Sequence, residues 1–258
     1  ERGMLARKVG DISQAAYWFA AACQAEATRA PLCLHLASAQ RGLGELEAAE
    51  ATLWDLIARF PQLTSPYEVL ADLYYSDYQD PVRAQEVVAL GIAHAQPAAA
   101  QLYYQRSRLA ADAGNYPAAE ADALEAISRQ PDHGGYLAWL GDLYLAQGRH
   151  EDAIAQYRRT AETASSFDWA WRARHKSAHV YVKMGEPVLA LSEYQAALAI
   201  AQTQDLPTAS LAQCYALLGE GLRAAGDLAG AAEAYAQALV LDPNNSIAVR
   251  GSASLESP

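Results

Sequence analysis

Along the run Arg172 to Lys183, RARHKSAHVYVK, two histidines stand four residues apart. On a helix His175 and His179 would share one face, a spacing that can hold zinc once a third ligand is supplied. The same face continues into Arg172 and Lys183, whose charges oppose a bound cation. Recognition of an anion suits the stripe better. Arg172, Arg174, His175, Lys176, His179 and Lys183 gather positive charge on one segment of a chain whose formal net charge is −11. A helical row of this kind can offer charge-assisted hydrogen bonds to a carboxylate. The competing expectation is internal neutralisation, with Asp142 and Glu220 on adjacent helices as the counter-charges.

Other residues with chemical potential lead nowhere. Asp77 and Asp80 in YSDYQDP lack the glycine and terminal glutamate that a calcium loop requires, so they read as an ordinary turn. His35, His94, His133 and His150 have no ligand-like neighbours in the sequence. The three cysteines, Cys23, Cys33 and Cys214, are odd in number and lack metal-type spacing, which argues against a zinc site or a disulfide framework. They read as small buried apolar residues, although Cys23 and Cys33 fall on successive helices. No phosphate-cradling glycine loop, nucleophile elbow or metalloprotease motif is present. The expectation is a non-enzymatic chain with no catalytic residues, no cofactor and no metal.

The elements that would position the basic stripe are written in a periodic pattern. In WLGDLYLAQGRHEDAIAQY, Gly141 is followed by Tyr144, Gly148, Ala153 and Tyr157. The same ladder runs from Gly219 through Leu222, Gly226, Ala231 and Tyr235, and from Ala178 through Tyr181, Gly185, Ala190 and Tyr194. Ser107, Ala37 and Gly3 head three further copies, the last through Ala6, Gly10, Ala15 and Phe19. The copy from Ala71 is imperfect, because Tyr78 stands at the turn-glycine position and Ala84 arrives one residue late. Anchors at 3, 37, 71, 107, 141, 178 and 219 are spaced by 34 to 41 residues, so the chain is an internal repeat. Glycine inside a helix costs about 1 kcal/mol relative to alanine. Its recurrence implies that a second helix comes close over Gly141, Gly219 and the facing alanines Ala153 and Ala231. Gly148 and its counterparts then supply the positive φ that ends the first helix of each pair.

A unit of about 34 residues with apolar, small, glycine, alanine, aromatic and proline positions in this order resembles the tetratricopeptide repeat. The resemblance covers essentially the whole chain and is clearest in YLAWLGDLYLAQGRHEDAIAQYRRTA and CYALLGEGLRAAGDLAGAAEAYAQALVLDP. The family's tryptophan position holds Leu137, Tyr215, Tyr103, Tyr67, Cys33 and Arg174, of which Arg174 departs from apolar packing. The resemblance implies an all-α, right-handed superhelical solenoid of antiparallel helix pairs. The units run at about 1–29, 30–63, 64–99, 100–133, 134–170, 171–211 and 212–245, and 246–258 begins a further helix or tail.

The resemblance also implies that the first helices of successive units line a concave groove. Transferred one position at a time, the groove residues that could bind a partner are Tyr75, Tyr104, Arg108, Trp139, Asp142, Arg172, His175, His179, Lys183, Glu220 and Arg223. The expected function is a protein-interaction scaffold that takes a protein or peptide segment, with an acidic or carboxylate-ended one suited to the basic stripe. Some family members clamp a terminal carboxylate with lysine and asparagine on adjacent repeats. Here no asparagine occupies such a position, so that mode is disfavoured. The alternatives are a self-associating assembly module, or a regulatory or tethering appendage of a larger enzyme or membrane glycan-assembly protein.

The acidic balance opposes nucleic acid and anionic membrane surfaces, and no segment is long and apolar enough to span a bilayer. Glu1 already falls inside a repeat helix, and the run after Pro243 ends in a Gly/Ser tail, so both ends read as cut from a larger protein. Nothing in the sequence assigns a compartment; cytoplasmic and extracytoplasmic placements are both compatible with it.

Overall fold

The structure is a computed structural model that describes residues 3–4, 10–25, 30–95, 98–164, 166–204 and 206–256. Ala6, in the first copy of the ladder, lies outside the described residues. Contacts divide the chain into two compact units, Glu1–Arg129 and Gln130–Pro258. The first contains α1 (Ile12–Ala25), α2 (Ala30–Gly42), α3 (Leu46–Arg59), α4 (Thr64–Asp72), α5 (Pro81–His94), α6 (Ala100–Asp112) and α7 (Tyr116–Arg129). The second contains α8 (Gly134–Ala146), α9 (His150–Thr163), α10 (Phe167–Met184), α11 (Pro187–Thr203), α12 (Thr208–Ala224), α13 (Leu228–Leu241) and α14 (Ser246–Glu256). Strands are absent among the described residues. Each unit is a stack of helix pairs, the all-α helical-repeat solenoid architecture.

Within each pair the packing follows the small-residue ladder. A Cβ on Gly141 would fall 2.5 Å from the Tyr157 ring, and one on Gly219 would fall 2.5 Å from the Tyr235 ring. The tyrosines of the second helices therefore occupy the space that a side chain would take. On the second helices, Ala49, Ala84, Ala153, Ala190 and Ala231 are 0–1% exposed. This close approach recovers dispersion contacts that offset the helix propensity lost at glycine. Gly148 ends its pair's first helix at φ 73°, and Gly10, Gly44, Gly114, Gly185 and Gly226 adopt the same left-handed conformation. Side chains cap several helix starts: Asp80 accepts from the Arg83 amide at 3.0 Å and Asp227 from the Gly230 amide at 2.9 Å.

The third copy of the ladder, in which a tyrosine replaces the glycine, is where helical geometry changes. The end of α4 widens into a π-helical turn, Leu73–Asp77, which absorbs the additional residue. Gln79 then takes the positive φ, 55°, that glycine adopts elsewhere. Asp77 pairs with Arg41 of α2 at 2.6 Å, and Asp80 caps α5.

The cysteines correct one sequence expectation. Cys23 and Cys33 form a disulfide with a Cα–Cα separation of 5.0 Å. Consecutive helices that run back along one another bring the last turns of α1 beside the first turn of α2. Two cysteines at those helix ends can bond without belonging to a larger disulfide framework. Arg59 of α3 donates from Nη2 to Cys33 Sγ at 3.7 Å. Cys214 remains a buried free thiol whose pKa burial pushes up to about 12, so it is chemically quiet.

Candidate functional site

In both units the first helices of successive pairs adjoin: α4 with α6 in the first, α8 with α10 and α10 with α12 in the second. The two faces are built separately.

On the first unit, Tyr75 donates its hydroxyl to Asp112 Oδ2 at 2.7 Å, tying α4 to α6. This hydrogen bond to a carboxylate, ahead of burial, raises the Tyr75 pKa. Gln105 of α6 donates its amide to the Glu68 carbonyl at 3.1 Å and to Asp72 Oδ1 at 2.8 Å. Arg108 lies over the Tyr104 ring at 5.9 Å. The structure thus brings together Tyr75, Tyr104 and Arg108, three of the residues singled out in the sequence. It joins to them Arg41, Glu68, Asp72, Asp77, Gln105 and Asp112.

On the second unit, the groove acids are held by the residues that pack the repeat. Tyr157 of α9 reaches past Gly141 and donates to Asp142 Oδ1 at 2.6 Å. Tyr235 of α13 reaches past Gly219 and donates to Glu220 Oε1 at 2.7 Å. Burial first, then the neighbouring carboxylates, raise both phenols, that of Tyr235 to about 12. Asp142 also accepts from Lys176 Nζ at 2.6 Å, and Glu220 from Arg223 at 2.9 Å. The acid follows the small residue by one position, and the tyrosine stands at the aromatic position of the same ladder. Both were visible in the sequence, but their hydrogen bond was not.

The basic stripe on α10 is largely neutralised. Arg172 pairs with Asp168 one turn before it at 2.8 Å and lies over the Trp171 ring at 5.0 Å. Arg174 reaches Glu193 of α11 at 3.1 Å, and Arg158 of α9 reaches the same buried carboxylate at 2.6 Å. That interhelix anchor explains why arginine occupies the repeat's tryptophan position. The neutralising acids are thus Asp168, Glu193 and Asp142, whereas Glu220 serves Arg223. His175 is not a cation at neutral pH: burial, then His179, Lys176 and Arg172, push it down to about 4. His179 is lowered as well, by burial and then Lys183. Lys183 is exposed and forms no ion pair among the described residues, so it carries most of the stripe's remaining positive charge. Trp139 is half-buried on α8. No group of three or more His, Cys, Asp or Glu among the described residues could hold a metal ion.

A shallow depression of about 420 Å³ lies between α12 and α14, lined by the apolar Leu217, Ile247 and Gly251 and the charged Glu220, Arg223 and Arg250. Arg250 was missed in the sequence because it stands beyond the last full copy of the ladder. None of the helices, over the described residues, is long and apolar enough to cross a membrane.

Comparison with known proteins agrees with this architecture. Tetratricopeptide repeat family models match residues 104–168 and 212–245. No curated protein matches the chain in sequence. Among solved structures, a tetratricopeptide repeat protein from Parabacteroides merdae is similar over 99% of this chain and 96% of its own, at 19% identity and TM-score 0.59. Yeast Tom70 is similar over 95% of this chain and 51% of its own, at 17% identity and TM-score 0.68. YrrB, a tetratricopeptide repeat protein with an unusual peptide-binding site, is similar over 78% of this chain and 97% of its own, at 19% identity and TM-score 0.50. At these identities the likeness is one of fold. Residues 104–168 and 212–245 thus match the tetratricopeptide repeat, and the same helix pairing continues around them.

Proposed function

We propose that this chain is a non-catalytic scaffold that binds a protein or peptide segment on the faces formed by its first helices. The supporting observation is the division of labour within each pair. The second helices supply packing alanines and, in the second unit, the tyrosines Tyr157, Tyr194 and Tyr235, while the first helices carry polar and aromatic side chains that differ from copy to copy. Members of the family generally mediate protein–protein contacts, and YrrB carries a peptide-binding site. On the second unit, Lys183, Arg223 and Arg250 suit an acidic or carboxylate-ended segment. Leu217 and Ile247 offer apolar area to the side chain preceding that carboxylate.

The experiment is a binding screen of the intact protein against peptides that differ in charge and in C-terminal carboxylate or amide. The expected outcome is a preference for acidic or free-carboxylate peptides that is lost on reversing charge in an Arg172→Glu, Lys183→Glu variant. Binding that survives both reversals would remove the stripe from the site. Failure of every partner and peptide to perturb amide signals of first-helix residues would overturn the scaffold reading itself.

A further inference from the structure

The first-helix face of the first unit differs in charge from that of the second. It presents Glu68, Asp72, Asp77 and Asp112 against Arg41 and Arg108. Arg41 is committed to Asp77 at 2.6 Å. No cation among the described residues forms an ion pair with Glu68, Asp72 or Asp112. Arg108 faces aromatic rings, lying over Tyr104 and near Tyr75. The surplus on this face is therefore negative, and it is local, since these acids lie on two adjoining helices.

An independent feature marks the same place. Gln105 is 8% exposed, and its amide nitrogen is fixed among the acids by Glu68 and Asp72. Its carbonyl oxygen, Oε1, is buried without a hydrogen-bond partner. A buried unpartnered acceptor is costly, and here it lies beside carboxylates that accept only neutral hydrogen bonds and form no ion pair among the described residues, a set that suits a donor carrying positive charge. Burial raises the pKa of the Glu68 carboxyl, a hydrogen bond with Thr64 opposes that shift, and the charge of Asp72 adds a smaller repulsion that a cation would relieve. Tyr75 stands less than one helical turn beyond Asp72, in the π-helical turn that follows α4, and its ring and that of Tyr104 can flank the stem of a long cationic side chain.

We propose that this face binds a lysine- or arginine-bearing segment of a partner protein, with a cationic side chain seated among Glu68, Asp72 and Asp112 next to Gln105. The inference rests on the scaffold reading and adds a second specificity to it, opposite in sign to that of α10.

The test uses the intact protein and a fluorescent ten-residue lysine–glycine peptide, with a glutamate–glycine peptide as its counterpart, measured by anisotropy at low and high salt. The variant Asp72→Asn, Asp112→Asn removes two charges while keeping oxygens that accept from Gln105 and Tyr75. The control Glu47→Gln, Glu86→Gln removes the same charge from the second helices α3 and α5 of the same unit. The expected result is that the lysine peptide binds and is weakened about tenfold or more by the first pair of substitutions. The control is expected to weaken it by less than about twofold, the share due to long-range charge. Equal weakening by both pairs would reduce the effect to net charge and overturn the proposal, as would absence of lysine-peptide binding. Salt-sensitive dimerisation abolished both by Asp72→Asn, Asp112→Asn and by Arg172→Glu, Lys183→Glu would seat a second copy of the chain there instead, and would also overturn it. Failure here, with peptide-induced signal changes still seen on the first helices of the second unit, removes this inference alone. Silence on both faces removes the scaffold reading with it.

Discussion

Gly141→Ala is expected to destabilise the protein, although alanine is the better helix former by about 1 kcal/mol. The new methyl would lie 2.5 Å from the Tyr157 ring, which is 1% exposed and hydrogen-bonded to Asp142. Overpacking of this kind costs about 1–3 kcal/mol, so a lower urea midpoint is the expected result. His175 supplies a second test. Its folded-state pKa, about 4, lies below the ordinary histidine value of about 6.5. The native state therefore binds fewer protons than the unfolded chain, and stability is lost as pH falls from about 6.5 towards 4. Thermal melts at pH 6.5 and 5 should show a drop in midpoint that His175→Gln makes smaller; an identical drop in the variant would remove His175 as the cause.

At the scale of elements, α1 is held differently from the rest. It packs through the small cluster of Ala15, Phe19 and Ala39, and the Cys23–Cys33 disulfide joins it to α2. Replacing both cysteines with serine is expected to lower stability by about 2–3 kcal/mol on a chain-entropy basis for a loop of this length. The loss should be concentrated in α1, read as faster amide exchange at residues 12–25 with little change in α4 to α7. Reduction of the intact protein with a dithiol should give the same pattern, and uniform loss of protection through the unit would count against a local clamp. The π-helical turn after α4 shows the same locality. One additional residue between Ala71 and Ala84 changes the geometry of Leu73–Asp77 and leaves the facing alanine fully buried.

For the whole molecule, each unit contains its own core. The cluster from Ala153 to Leu217, and that of Ala216, Ala231, Tyr235, Ala238 and Ala248, fall entirely within the second unit. Because repeat stability is a sum of nearest-neighbour terms, residues 130–258 expressed alone are expected to fold. The check is a helical circular-dichroism spectrum with a cooperative melt; a fragment without one would show that the second unit needs the first.

The repeat, its helix pairs and its turn glycines were legible because packing over small residues imposes a strict spacing on the chain. Gly141, Ala153 and Tyr157 must recur in phase or the helices cannot approach, so sequence alone determined the fold class and the repeat unit. The charge of the candidate site was not legible in the same way. Counting cations along α10 gave a strongly basic stripe, but ion pairing depends on which acids from other helices come within about 4 Å, where Coulomb interaction and hydrogen bonding decide the outcome. Only the tertiary structure matched Lys176 with Asp142 and Arg174 with Glu193, held His175 half-buried in its neutral form, bonded Cys23 to Cys33, and left Asp72 and Asp112 without an ion pair among the described residues. Helical periodicity is local and survives in the sequence, whereas charge compensation is a contact between distant residues and exists only once the chain has folded.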